Sequence, residues 1–188
     1  MQTKLKITES VKERLQNINL PEFAPLDTVI LECGKKGKRF DVEVDYEDAK
    51  WLMEHNWRLD NGGYVVRGQR IGTYRLLRMH RCIMHRHGSL KALFGGDQVV
   101  DHIDNNKLNN KKENLRLATT AQNNKNRRSK KGKLKGVQKQ ANGWWRATIM
   151  SDGVPIYLGE FPTKELAISV YNKTAREKHG DFANLTDE

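Results

Sequence analysis

VVDHIDNNKLNNKKENLRLATTAQNNKN, residues 99–126, reads as a strand, a loop, a second strand and a helix in quick succession. Val99 and Val100 are β-formers placed directly before a carboxylate and an imidazole, Asp101 and His102, so a strand ends at polar groups. The turn IDNNKLNNKKEN comes next, and Leu115-Arg116-Leu117 returns as a second strand. Thr119 or Thr120 then caps a helix over AQNNKNRR, with Asn123 in its first turn. Eight of the fifteen asparagines fall between Asn105 and Asn126, a density that ordinary turn usage does not explain.

Strand, loop, strand and helix converge on one spot, which bears a titratable imidazole and oxygen donors. Hydrolysis of a phosphodiester at neutral pH needs an activated water, neutralised phosphoryl oxygens and a stabilised 3′ leaving oxygen. His102 titrates in the range that suits water activation. Asp101 and Asn123 are hard oxygen donors of the kind Mg²⁺ takes in ones and twos, leaving positions for water and phosphate.

Downstream, NNKNRRSKKGKLKGVQK, residues 123–139, holds eight Lys and Arg and no acid. Folding such a run on itself is repulsive, whereas laying it on phosphates releases counterions, so it reads as a DNA-contacting linker. Residues 1–30 carry four basic and four acidic groups, 31–122 seventeen and twelve, and 140–188 five and seven. The net charge of +11 is therefore local, and it points to a polyanion.

Beyond Gly132 three short strands are expected, in LKGVQKQ, WWRATIM and PIYLGEF, and after them one helix over Lys164 to His179. Thr163 caps that helix and Gly180 ends it; Leu166, Ala167, Val170, Tyr171 and Thr174 or Ala175 form its apolar face. Trp144, Trp145, Tyr157 and Phe161 are expected to supply buried area to this small unit.

Upstream, LECGKKGKRFDVEVD reads as two strands around a Gly-containing turn, and Asp45 caps a helix through Glu54 with Asp48 in its first turn. Asn61-Gly62-Gly63 is a turn separating Trp57-Arg58-Leu59 from Tyr64-Val65-Val66-Arg67, and a strand or helix start comes after it in TYRLLRMHRCIMHRHG. Trp51, Trp57 and Tyr64 read as core. In residues 1–30, TESVKERLQNI is a short helix candidate to which no chemistry is assigned, and Pro21 and Pro25 break regular structure beyond it.

At 188 residues the chain suits one ordinary domain or two small ones, in an α+β architecture. No apolar run exceeds three residues, which excludes a membrane-spanning helix. The start MQTKLKITES lacks the apolar stretch of a secretory signal, so a cytoplasmic chain, in a bacterial or phage-infected cell, is expected. Cys33 and Cys82, far apart and without a CxxC, argue against a zinc knuckle or a disulfide framework.

In VDHIDNN…NLRLATTAQN the spacing resembles the HNH endonucleases of the phage homing type, which carry a ββα-metal motif. The resemblance places His102 as the first motif residue, Asn114 as the second and Asn123 as the third, with Asp101 before the histidine. It implies that His102 is the general base, that Asn114 orients it and braces the loop, and that Asp101 and Asn123 hold a divalent metal, Mg²⁺ above all, with Mn²⁺ able to substitute. His80 and Arg81 resemble the segment that precedes the motif, which implies a supporting or phosphate-contact role, and Arg116 is placed with the DNA contacts. His55, His85, His87 and His179 have no such context and read as surface or core residues, with His85 and His87 near enough to His80 in the chain to contact DNA.

Residues 135–188 resemble the Apetala-type DNA-binding domain, in which a three-stranded sheet with a helix behind it lies in the major groove. The matching base-facing positions are Lys135, Gln138, Gln140, Trp144, Arg146, Thr148 and Tyr157, with Arg127, Arg128, Lys130, Lys131, Lys133 and Lys139 on phosphates. Gln138, Gln140, Thr148 and Met150 stand where the plant pattern is rich in arginine and cannot form its bidentate guanine contacts.

Together these readings divide the chain into an N-terminal segment (1–30), a nuclease domain (31–128, motif 99–128), a basic linker (129–134) and a DNA-binding domain (135–188). They imply a metal-dependent endonuclease that nicks double-stranded DNA, as a monomer or a DNA-assembled dimer, and uses no membrane. The competing reading is a non-catalytic DNA-binding or regulatory protein on a degenerate HNH scaffold. An RNA-binding role accounts for the charge but not for the Asp-His pair or the asparagine spacing.

Overall fold

Alternation in residues 28–45 builds the first sheet: Val29, Leu31, Cys33, Val42 and Val44 all point to one buried face. Strands β2 (Thr28–Lys35) and β3 (Lys38–Asp45) pair antiparallel, and β1 (Thr3–Lys6) adds parallel to β2, an edge the sequence reading did not anticipate. This computed structural model describes residues 3–6, 28–35, 37–91, 93–94, 96–129 and 133–186. The expected helix within residues 8–18 lies outside them, as do Lys130 and Lys131.

Helix α1 (Tyr46–Met53) packs Ala49, Leu52 and Met53 on that sheet. Its N-cap is Asp45, as expected, but the Asp45 carboxylate accepts from the Lys112 backbone N–H at 2.7 Å instead of capping its own helix. Trp57 is buried and donates Nε1 to the Leu52 carbonyl at 2.8 Å. Strand β4 (Arg58–Leu59) turns into β5 (Val65–Ile71) around Asp60, whose Oδ1 accepts from the backbone N–H groups of Gly62 and Tyr64. Strand β6 (Thr73–Arg78) completes this second sheet, and the chain then enters helix α2 (Met79–Arg86), so TYRLLRMHRCIMHRHG is a strand and a helix in turn.

Strands β7 (Val99–His102) and β8 (Leu115–Ala118) form a two-stranded sheet, with a 3₁₀ turn at Lys112–Asn114 between them. Helix α3 (Thr120–Asn126) comes next, capped by Thr119 in a reciprocal box with Gln122. The third sheet is β9 (Val137–Lys139), β10 (Trp145–Ser151) and β11 (Val154–Phe161), with β10 central, and helix α4 (Lys164–His179) packs on it. The α+β class expected from the sequence is the class observed.

The chain divides into two compact units, Met1–Leu117 and Ala118–Glu188, each with its own apolar core. Full burial of side chains such as Leu31, Leu52, Leu77 and Ile83 stabilises the first by about 1.5–3 kcal/mol each. In the second, α4 buries Ala167, Ile168, Tyr171 and Ala175, so the expected apolar face is corrected: Leu166 is exposed and Ile168 takes the core position. Trp145 and Phe161 pack on this core, whereas Trp144 and Tyr157 are exposed and contribute little burial. Cys33 and Cys82 are buried and unbridged, and burial raises the Cys82 thiol to about 11. No helix among the described residues is long and apolar enough to cross a membrane.

Candidate active site

The asparagine-rich loop between β7 and β8 is held by its own side chains. Asp104 Oδ1 accepts from the Asn106 N–H at 2.7 Å and from Asn114 Nδ2 at 2.9 Å, and its Oδ2 accepts from Asn109 Nδ2 at 2.9 Å. Asn114 also donates Nδ2 to the Asn109 carbonyl at 2.8 Å and accepts the Asp104 N–H on Oδ1 at 3.1 Å. An amide offers donors and an acceptor on one short stem, which is what this lattice uses. The loop docks on β3, where Glu43 and the segment Leu108–Asn110 exchange two backbone hydrogen bonds of 2.8 and 2.7 Å.

His102 ends β7 and is buried. Its Nε2 lies 3.5 Å from Asn110 Oδ1. Asn110 Nδ2 donates to the Lys107 carbonyl at 3.1 Å, which turns the amide oxygen toward the histidine. An amide oxygen only accepts, so this contact favours the tautomer with the proton on Nε2. Burial pushes the imidazole below its ordinary value, against the opposite pull of Asn110, Asp104 and Asp101. It is thus neutral, and able to take a proton, at pH 7.

Asp101 is buried on the same strand, and Arg116 of β8 donates both Nε (3.0 Å) and Nη2 (2.8 Å) to its Oδ2. Asn123 is half-buried on α3, in the second unit. Taken singly, a carboxylate oxygen and an amide oxygen are both donor types that a hard divalent ion takes.

The HNH endonuclease family profile matches residues 79–125. An uncharacterized HNH endonuclease of Acanthamoeba polyphaga mimivirus is 34% identical over 172 residues, which cover 88% of this chain and 85% of that protein. The chain belongs to the HNH endonuclease family. Protein 3.8 of Escherichia phage T7 is 33% identical to this HNH endonuclease over 90 residues, 46% of the chain and 74% of that protein. No solved structure matches it.

Two rings that the sequence did not tie to His102 form its wall in this nuclease. His80 packs edge-on to His102 with centroids 4.8 Å apart, and Tyr64 lies 5.3 Å from His80 and 6.1 Å from His102. Tyr64, expected in the core, is half-buried. Arg78 approaches its ring at 4.6 Å and Lys107 at 4.3 Å. His80 is 3% exposed, so it is placed to support His102 and not to meet a phosphate. Burial, then the charges of His102, Arg78 and Arg81, hold it well below its ordinary value. Arg81 donates Nε to the Leu93 carbonyl at 2.8 Å and Nη1 to that of Gln98 at 3.3 Å.

A second acidic and imidazole group, Glu47, Asp48 and His87, has its ligand atoms within 4.8 Å of one another. Its carboxylates are already engaged: His87 Nε2 sits 3.0 Å from Asp48, Arg86 lies 3.4 Å from Asp48, and Lys112 pairs with Glu47. We read it as a structural ion cluster. His85 contacts the Leu90 carbonyl and His179 that of Met150, both structural contacts.

In the second unit, register puts Gln138, Arg146 and Glu160 in one row, with Thr148 opposite Tyr157, all on the sheet face away from the buried Val137, Ala147 and Ile149. Arg146 donates to Glu160 at 2.9 Å and its guanidinium lies 5.9 Å from the Tyr157 ring. Gln140 donates Nε2 to the Gln138 carbonyl, and Trp144 stands exposed just before β10. Lys135 turns inward and donates Nζ to the Lys125 carbonyl; burial lowers it to about 8. Arg127, Arg128, Lys133 and Lys139 are exposed.

Proposed function

We propose that the chain is a metal-dependent DNA endonuclease of the homing type, which nicks one strand per active site as a monomer or a DNA-assembled dimer. The observation that carries this is His102: a buried imidazole next to the Asp101 carboxylate in the strand, with the Asn110 amide oxygen 3.5 Å from Nε2. In this reading His102 takes a proton from water as the hydroxide attacks phosphorus. The bond from phosphorus to the 3′ oxygen breaks, and solvent protonates the leaving oxygen. Asp101 and Asn123 are the residues assigned to a divalent ion, Mg²⁺ with Mn²⁺ as substitute, and Asn114 braces the loop that carries the base. When bound, such an ion neutralises the phosphoryl oxygens and the departing 3′ oxygen.

The domain plan that accompanies this reading keeps residues 31–128 as the nuclease, 129–134 as a basic linker and 135–188 as an Apetala-type sheet that reads duplex DNA through Gln138, Gln140, Trp144, Arg146, Thr148 and Tyr157. Two of the DNA contacts assigned within residues 135–188 carry a handicap. Arg146 is engaged by Glu160, and Lys135 donates inward, so phosphate affinity is left mainly to Arg127, Arg128, Lys133 and Lys139, with Lys130 and Lys131 in the same run. One contact favours the second reading, a non-catalytic binder on an HNH scaffold: Arg116 holds the Asp101 carboxylate with two hydrogen bonds.

Conversion of supercoiled plasmid to open circles separates the two readings. With Mg²⁺ or Mn²⁺ the wild type is expected to nick. EDTA stops it, and His102→Ala loses about 10²-fold or more in rate while still binding the plasmid. Equal nicking by both proteins, or nicking that persists in excess EDTA, overturns the assignment.

A further inference from the structure

Upstream of the basic run at 123–139 lies a second acid-free stretch: from Gly62 to Gly96 the chain has seven Lys and Arg and no Asp or Glu. Much of this charge sits on the β5–β6 ribbon. Residues paired across an antiparallel ladder share a face, so the rows Val66–Arg78, Gly68–Leu76 and Arg70–Tyr74 line one side of it. Val66 is buried and anchors the base. Beyond it Leu76 is 44% exposed, Tyr74 66%, and Arg70 and Arg78 are exposed as well. Tyr74 lies over Gly68, where a Cβ would come within 2.1 Å of its hydroxyl oxygen, so the missing side chain makes room for the ring.

This face runs into the active site. Arg78, at the base of the ribbon, sits over the Tyr64 ring, which stands 6.1 Å from His102. From Arg78 to Tyr74 is four residues, roughly 13 Å along a strand at about 3.3 Å per residue. Among the described residues, Arg70, Arg75 and Arg78 have no acidic partner, unlike Arg116 and Arg146. An exposed tyrosine and leucine bracketed by such arginines match a polyanion that also presents apolar base and sugar edges, and a two-stranded ribbon is of a size the major groove admits.

We propose that the outer face of the β5–β6 ribbon, Arg70, Tyr74, Leu76 and Arg78, docks on duplex DNA flanking the scissile phosphate and holds it in line with His102. This rests on the nuclease reading for the position of the cut, but the docking is tested by binding alone. The probe is a fluorescein-labelled 30-base-pair duplex of mixed sequence, titrated by anisotropy at several KCl concentrations with the full chain carrying His102→Ala, so that the DNA stays intact. Adding Arg70→Ala with Tyr74→Ala, both exposed positions at the far end of the ribbon, is expected to weaken binding about fivefold or more and to lower the salt slope by about one. The pair Arg70→Lys with Tyr74→Phe keeps the charge and the ring and retains most of the affinity.

A folded alanine variant, judged by circular dichroism and thermal unfolding, with unchanged Kd and unchanged slope overturns the proposal and leaves the ribbon to an acidic protein surface. Loss of affinity in the conservative pair equal to that in the alanine pair also overturns it. Nicking by the protein without His102→Ala is read separately. If that protein fails to nick while the ribbon variant loses binding, the nuclease reading falls and the docking face stands. If it nicks and the ribbon variant binds unchanged, the docking face falls alone.

Discussion

Asn110 and Asn114 sit four residues apart in one loop and do different work with the same amide. Asn114 spends its side chain on Asp104 and Asn109, three hydrogen bonds from a buried position. Asn114→Ala removes those three hydrogen bonds from the loop, and we expect a loss of about 1–3 kcal/mol in urea unfolding. Asn110 aims its oxygen at His102 Nε2, so Asn110→Ala is expected to lower the nicking rate by about tenfold or more with duplex affinity unchanged. Asn110→Asp keeps the acceptor and recovers part of that rate. Loss of DNA binding in step with nicking contradicts the role assigned to Asn110. From the sequence, the asparagine density signalled that amides were needed here, and the motif spacing drew attention to Asn114. Asn110 was not separable from its neighbours, because which amide faces a histidine is set by the Lys107 carbonyl and by docking on Glu43, both products of tertiary folding.

Helix α4 shows where pattern reading ends. Its bounds and caps were legible, since Thr163 accepts from the Leu166 N–H and Gly180 closes the helix at φ 51°. Its buried stripe was not. At about 100° per residue Leu166 stands roughly 140° around the axis from Tyr171, while Ala167, Ile168 and Ala175 lie within about 60° of it. Both stripes look apolar in sequence, and the sheet surface chose the one centred on Tyr171. The parallel strand β1 and the placing of Tyr64 against His102 were illegible for a related reason: each is a contact between segments far apart in the chain. The choice of Tyr171 has a consequence at Gly136. That residue has φ 70°, and a Cβ there would lie 2.1 Å from Tyr171 Cε2 and 2.4 Å from the Thr148 carbonyl oxygen. Gly136→Ala combines a disfavoured backbone with overpacking against main chain, for a loss of about 2–5 kcal/mol. Thermal unfolding is expected to show this as a large drop in the melting temperature, and a drop of only a degree or two contradicts the packing at Tyr171.

The net charge of +11 is carried by two acid-free runs, one in each unit, while the remainder of the second unit, residues 140–188, is slightly acidic. Charge arranged this way is a statement about salt. Each phosphate neutralised on duplex DNA contributes about −0.9 to the slope of log affinity against log salt concentration. Contacts from Arg127, Arg128, Lys130, Lys131, Lys133 and Lys139 alone give a slope of about −5, and adding Arg70 and Arg78 from the ribbon face brings it to about −7. Between 50 and 200 mM salt the first case loses about 10³-fold in affinity and the second about 10⁴-fold. Fluorescence anisotropy on the labelled 30-base-pair duplex distinguishes them, and we expect the steeper slope for the otherwise unaltered His102→Ala protein. Replacing Arg127 and Arg128 with Ala is then expected to lower the slope by about two. A slope of about −5 that the ribbon variants do not change confines the DNA contact to the linker. A slope near zero removes the polyanion from the account of why this chain carries so much positive charge.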